Sequence, residues 1–296
     1  MKSPGLNELG LNAGKKARLN RILYQHGLRN GTALFLPYDQ GLEHGPRDFF
    51  ANAAAGDPAY IARLAAEGDF NGIALQIGLA EKFYWDYAGE VPLILKLNGK
   101  TDIPLDAQAL SPLQATVEDA VRLGADAVGY TLYVGTPAQE ADFAQYRQVR
   151  ADASRLGMPL IVWSYPRGSA IDAKGGKDSF YAVDYAARTA SELGADMVKV
   201  NFPHPEKQTG AAEPYLGEFS PQQAIDAVVA SAGRTLLLVS GGERAGDEAM
   251  LDKARQAMEA GATGLIFGRN VWQRGHGESL RFVTQLRDSL AKYPSR

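Results

Sequence analysis

Short apolar runs bounded by Gly, Pro, Asn or Asp recur along this chain, and eight of them read as β-strands. They are Ala33–Tyr38, Gly72–Ile77, Leu93–Leu97, Ala127–Leu132, Leu160–Tyr165, Ala195–Asn201, Leu236–Ser240 and Gly264–Gly268. Between most of them lie Ala-rich segments whose apolar positions repeat at helical spacing: Pro58–Gly68, Gln114–Gly124, Tyr181–Gly194, Pro221–Gly233 and Asp247–Gly261. Gly124, Gly194 and Gly261 stop three of these helices, as a left-handed C-terminal cap favours. The chain then restarts on Gly-Ala each time, as Gly124-Ala125-Asp126, Gly194-Ala195-Asp196 and Gly261-Ala262-Thr263.

Strands alternating with helices predict a parallel sheet. Eight such units fit one α/β domain over residues 1–296, a closed (β/α)₈ TIM barrel with Lys15–Gln25 as an extra N-terminal helix. A doubly wound open sheet is the alternative with the same alternation. There is no low-complexity segment and no interdomain linker. A barrel places its active site at the C-terminal ends of the strands, so the chemistry should gather there.

The composition narrows the classes. Of 296 residues, 45% are hydrophobic and 22% charged, ample for a sizeable core. A net charge of −3 gives no whole-chain attraction to nucleic acid or anionic membranes. With no cysteine, disulfides and thiolate metal sites are excluded. No apolar run reaches the roughly 18 residues of a membrane span, and Met1–Asn7 lacks the apolar core of a secretory signal. A cytoplasmic protein is expected.

Lys199 is the odd residue of the sixth strand. Alternation puts Met197, Lys199 and Asn201 on one face and Val198 and Val200 on the other. If the valines face the helices, Lys199 points into the barrel near its mouth. There it either pairs with a carboxylate or loses its proton and becomes a nucleophile able to form a Schiff base. Lys96, on the third strand with the parity of Asn98, competes for the role. A second ammonium would lower the pKa of the first, and periodicity alone does not separate the two.

Other strand ends carry further candidates. Trp163 and Tyr165 share a face of the fifth strand, where a tyrosine can move protons and a tryptophan can simply pack. Arg167 follows, either a solvated loop charge or a phosphate ligand. Asp39 closes the first strand; it could hold a hydroxyl, a metal or a catalytic cation, or merely cap a turn. Glu43 and His44 in the loop after it could serve that loop's own hydrogen bonds. Ser240-Gly241-Gly242 and Gly268-Arg269-Asn270 end the last two strands, where barrels often bind phosphate; tight turns are the plainer explanation. His26, His44, His204 and His276 show no zinc spacing, and no G-x-S-x-G nucleophile elbow is present.

Taken together, Tyr38–Pro46, Trp163–Gly168, Met197–Lys199, Ser240–Gly242 and Gly268–Arg274 resemble the archaeal-type class I fructose-bisphosphate aldolases, the DhnA family. The matches run in order from the first strand to the last helix. The resemblance implies a TIM barrel, no metal, no cofactor, and reversible cleavage of fructose 1,6-bisphosphate to dihydroxyacetone phosphate and glyceraldehyde 3-phosphate. It makes Lys199 the Schiff-base residue, Tyr165 the proton-transfer residue and Asp39 a third catalytic group. It assigns substrate contacts to Gln40, Trp163, Arg167, Val200, Asn201, Ser240, Gly241, Gly242, Gly268 and Arg269. It also implies a homo-oligomer, often a decamer. Residues 204–220 depart most from the family pattern. Two other functions fit the same strand ends: a related lysine-dependent aldolase or transferase for another phosphorylated ketose or deoxy sugar, and a non-catalytic phosphosugar-binding barrel.

Overall fold

A computed structural model of the chain describes residues 2–104, 108–207, 209–242 and 246–295. The strands are β1 (Ala33–Pro37), β2 (Gly72–Gln76), β3 (Leu93–Lys96), β4 (Ala127–Val134), β5 (Leu160–Pro166), β6 (Met197–Val200), β7 (Leu236–Ser240) and β8 (Gly264–Ile266). They form a closed barrel in sequence order, every pair parallel, with β8 pairing back onto β1. This is the (β/α)₈ barrel expected from the alternation, and it excludes the open doubly wound sheet.

The helices are α1 (Ala13–Asn20), α2 (Gln40–His44), α3 (Pro58–Glu67), α4 (Ile77–Phe83), α5 (Val117–Arg122) and α6 (Gln139–Arg155), then α7 (Ser169–Asp172), α8 (Phe180–Glu192), α9 (Pro221–Ala232), α10 (Asp247–Ala260), α11 (Arg269–Trp272) and α12 (His276–Leu290). Gly124, Gly194 and Gly261 all lie at positive φ after α5, α8 and α10, where a side chain would be strained. Among the described residues no helix is long and apolar enough to cross a membrane.

Strand parity divides the apolar side chains into two clusters. Leu34, Leu36, Val128, Val162, Val198, Val200, Leu237 and Val239 face outward and pack under the helices. Ala33, Phe35, Ala74, Ile94, Ala127, Ile161, Met197, Leu238 and Ile266 fill the barrel. Both faces are apolar, so the runs look continuous rather than alternating. Lys199 has the inward parity expected of it.

The N-terminal segment closes the barrel floor. The expected single helix over Lys15–Gln25 is α1 followed by a π-helical turn, Arg21–Gln25. Leu6, Leu19, Ile22 and Leu23 join the interior cluster. The polar residue of each Gly-Ala-X restart fastens this plug. Asp126 pairs with Arg21, Asp196 Oδ2 lies 2.7 Å from Lys15 Nζ, and Thr263 Oγ1 lies 2.8 Å from Ser3 Oγ.

Candidate active site

The opposite end of the barrel gathers the polar groups. Lys96 ends β3 and is fully buried. Its Nζ donates to Thr131 Oγ1 at 2.7 Å and to the Asn98 carbonyl at 3.1 Å, and lies 3.4 Å from Asp39 Oδ2. Three oxygen acceptors are what an ammonium asks for. The Trp163 ring centroid is 5.3 Å from the same nitrogen. Trp163 thus packs in the interior cluster and also walls the polar site.

Lys199 stands in register beside Trp163 on the neighbouring strand and is 7% exposed. Its Nζ is hydrogen-bonded to the Tyr165 hydroxyl. Burial pushes the Lys199 amine down to about 7; the carboxylates of Asp39 and Glu43 oppose the shift, and the cations of Lys96 and Arg167 add to it. At neutral pH such an amine is unprotonated, and so nucleophilic, far more often than an ordinary lysine.

Tyr165 moves the other way. Burial first, then the charges of Glu43 and Asp39, push its phenol well above the ordinary value, with Arg167 opposing. Two carboxylates and loss of solvent outweigh Arg167, whose Cζ is 5.1 Å from the Tyr165 ring centroid and 5.8 Å from that of Tyr133. Arg167 Nη1 also donates to the Pro166 carbonyl at 2.8 Å.

Asp39 precedes α2 but makes no side-chain capping bond. Its buried carboxylate turns to Lys96 instead, so it is not a turn cap. Gln40 follows it, and its Nε2 is buried with no hydrogen-bond partner. Val200 packs outward, leaving only its backbone for the mouth. Asn201 Nδ2 donates to Asp178 Oδ1 at 2.6 Å, and Asn201 Oδ1 accepts from Ser240 Oγ at 2.8 Å.

The glycines after β7 and β8 answer partly to their own chain. A Cβ on Gly241 would lie 2.8 Å from Asn270 Nδ2, and one on Gly268 would lie 2.9 Å from the Pro37 carbonyl. Gly242 has open space around it and φ +66°, a turn conformation that favours glycine. Arg269 Nε lies 4.0 Å from Asp48 Oδ2, and His44 Nδ1 lies 2.7 Å from that oxygen. The loops after β8 and β1 thus meet through Asp48. Among the described residues no group of three or more His, Asp or Glu is gathered to hold a metal ion.

Several residues here escaped the sequence reading. Thr131 and Asn98 hold Lys96, and Asp178 holds Asn201. Gly129 makes room: a Cβ there would lie 2.7 Å from Trp163 Cζ3 and 3.0 Å from Lys96 Cδ. A glycine inside an apolar strand was the available signal for such a close approach.

Residues 33–274 match the model of the DeoC/LacD family aldolases. The chain is 40% identical over 259 residues to a protein of Thermoproteus tenax named fructose-bisphosphate aldolase class 1, covering 87% of this chain and 89% of that one. It is 32% identical over 268 residues to a Methanocaldococcus jannaschii protein named fructose-bisphosphate aldolase/6-deoxy-5-ketofructose 1-phosphate synthase, covering 87% and 81%. Among solved structures it resembles an archaeal fructose-1,6-bisphosphate aldolase whose catalytic lysine is covalently bound to the carbinolamine intermediate of the substrate. That match has a TM-score of 0.79 and 37% identity, and covers 92% of this chain and 99% of the other. From the first residue of β1 to the loop after α11, the chain belongs to the DeoC/LacD family of aldolases.

Proposed function

We infer that the chain is a class I, Schiff-base fructose-bisphosphate aldolase, a lyase that reversibly cleaves fructose 1,6-bisphosphate to dihydroxyacetone phosphate and glyceraldehyde 3-phosphate. The observation that carries this is the buried Lys199 amine, lowered to about 7 and bonded to Tyr165 at the mouth of the barrel. The named relatives at 37–40% identity support the substrate.

In this reading the unprotonated Lys199 amine attacks C2 of the ketose, and the carbinolamine loses water to give an iminium ion. Tyr165 begins as a phenol, able to supply the proton that the departing hydroxide needs. The iminium is then a fixed positive charge beside the resulting phenolate and stabilises it. That phenolate removes the C4 hydroxyl proton, the C3–C4 bond breaks, and its electrons pass into the iminium to form an enamine. Glyceraldehyde 3-phosphate leaves, Tyr165 returns a proton to C3, and hydrolysis frees dihydroxyacetone phosphate. General acid–base help of this kind is worth about 10²–10⁴ in rate.

Asp39, held by Lys96, is assigned to substrate hydroxyls, and Gln40 has an unpartnered donor beside it. The backbone of Gly241, Gly242 and Gly268, with Arg269, is assigned to the phosphate next to C2, and Arg167 to the distal one. Trp163 and the Val200 backbone complete the wall. Phe50 and Ile103, 85% and 86% exposed and close in sequence to the ion-paired Arg47 and Asp102, support a homo-oligomer, with a decamer as the size to test. A cytoplasmic location accompanies this reading.

Borohydride with dihydroxyacetone phosphate should trap an adduct that peptide mapping finds on Lys199. An adduct on Lys96, or none, would overturn the assignment. A second reading, a lysine-dependent aldolase or transferase for another phosphorylated or deoxy sugar, is favoured by the double name of the Methanocaldococcus jannaschii relative. Turnover across a panel of phosphorylated sugars separates the two.

A further inference from the structure

Asn201 closes the strand that carries Lys199, and both ends of its amide are committed, the NH₂ to Asp178 and the oxygen to the Ser240 hydroxyl. A carboxylate only accepts hydrogen bonds. Asp178 therefore dictates which end of the amide faces it, and the amide oxygen is left for Ser240. The single hydrogen of the serine is spent on that oxygen. Ser240 then turns lone pairs, not a proton, toward the barrel mouth. The chain of bonds crosses from the segment before α8, through the end of β6, to the end of β7.

Asp178 is itself held by backbone contacts between the two loops. Its carbonyl accepts from His204 N at 2.8 Å, and Phe180 N donates to the His204 carbonyl at 3.2 Å. A Cβ on Gly175 would lie 2.4 Å from the Lys207 carbonyl oxygen, and one on Gly210 would lie 2.2 Å from that of Ala173. The loops after β5 and β6 are thus interlocked at glycines, and the carboxylate is set in place before any ligand arrives.

We propose that Asp178 is a positioning residue for the ketose phosphate: by fixing the polarity of the Asp178–Asn201–Ser240 chain it makes Ser240 an acceptor for a substrate hydroxyl and leaves the phosphate to the Gly241 and Gly242 amides and Arg269. This rests on the aldolase reading above. Asp178 touches neither the substrate nor Lys199, so its loss should weaken binding more than turnover. The expected effect of Asp178→Ala is a KM for fructose 1,6-bisphosphate raised severalfold, up to about tenfold, the scale of the one hydrogen bond lost between Ser240 and a substrate hydroxyl, with kcat little changed. Asp178→Asn retains an acceptor and should recover part of the loss. Once Ser240 is replaced by Ala, adding Asp178→Ala should raise KM hardly further, because the two residues act through one chain.

The test measures kcat, KM and melting temperature for the full-length wild type, D178A, D178N, S240A and D178A/S240A. An unmoved KM in D178A, no recovery in D178N, or additive effects in the double variant would overturn the proposal. If D178A does not fold, D178N and D178N/S240A carry the same comparison. Borohydride trapping of the wild type separates the two levels. No adduct sinks the aldolase reading, whereas an adduct with an unmoved KM sinks only the role of Asp178.

Discussion

Lys199 and Lys96 share the inward parity of their strands, so period alone could not separate them. Their partners do. Lys96 is surrounded by Thr131, the Asn98 carbonyl and Asp39, whereas Lys199 meets a phenol. Those partners come from strands and loops distant in sequence, which is why only the resemblance to a family distinguished the two beforehand. The same geometry predicts a pH profile. The nucleophile must be unprotonated, so kcat/KM should fall on the acid side with an apparent pKa of about 7. Lys96→Met removes a cation that pushes Lys199 down, and it frees the Asp39 charge that pulls Lys199 up. The acid limb should therefore move to higher pH, with the steepest loss of activity near pH 7. A limb that stays put or moves down would show that Lys96 does not tune the nucleophile. Tyr165→Phe should slow C–C cleavage by about 10²–10⁴ and borohydride trapping by less, since water can also supply the proton for dehydration; equal losses in both would mean a structural role.

At the scale of elements, the strands and most helices were legible because an apolar run between Gly and Pro needs no distant information. Boundaries were less so. β4 runs on to Val134 and β5 to Pro166, two and one residues beyond the expected ends, because those strands keep pairing as far as Val134 and Pro166. β6 is shorter than its apolar run, since Ala195 and Asp196 belong to the floor. The repeated Gly-Ala restart was visible, but its purpose was not. Asp126, Asp196 and Thr263 each bind a residue more than a hundred positions away in the N-terminal plug. The ion pair of Asp196 with Lys15 is largely buried, and Asp196 also accepts from Leu160 N at 2.8 Å. Asp196→Ala leaves both donors unpaired and should cost about 3 kcal/mol or more. Thr263→Val removes one neutral hydrogen bond and should cost about 1 kcal/mol. Urea denaturation of the two variants checks the order; similar losses would mean the plug is held by its apolar contacts alone.

For the whole molecule, the alternation of strands and helices implied the barrel, and the barrel implied the face on which the candidate residues should gather. Lys96, Asp39, Tyr165, Lys199 and Ser240 all sit at C-terminal strand ends, on the side opposite the plug. That arrangement has a stability consequence. An unfolded lysine titrates near 10.5, and Lys199 in the folded barrel titrates at about 7. Between those values the unfolded chain holds a proton that the folded one does not, so this residue makes stability rise with pH across the window. Its destabilising effect is complete below about pH 7 and fades toward pH 10.5. Lys199→Met fills the same space without a charge to desolvate. It should abolish activity and raise the melting temperature at pH 7, by about 2–4 °C for each kcal/mol relieved. At pH 10 the gap between variant and wild type should narrow sharply, because the unfolded lysine is then beginning to lose its own proton. Melting curves of the pair at the two pH values make the comparison. A gap that is unchanged with pH, or a variant less stable at pH 7, would mean that Lys199 carries no desolvation cost in the folded barrel.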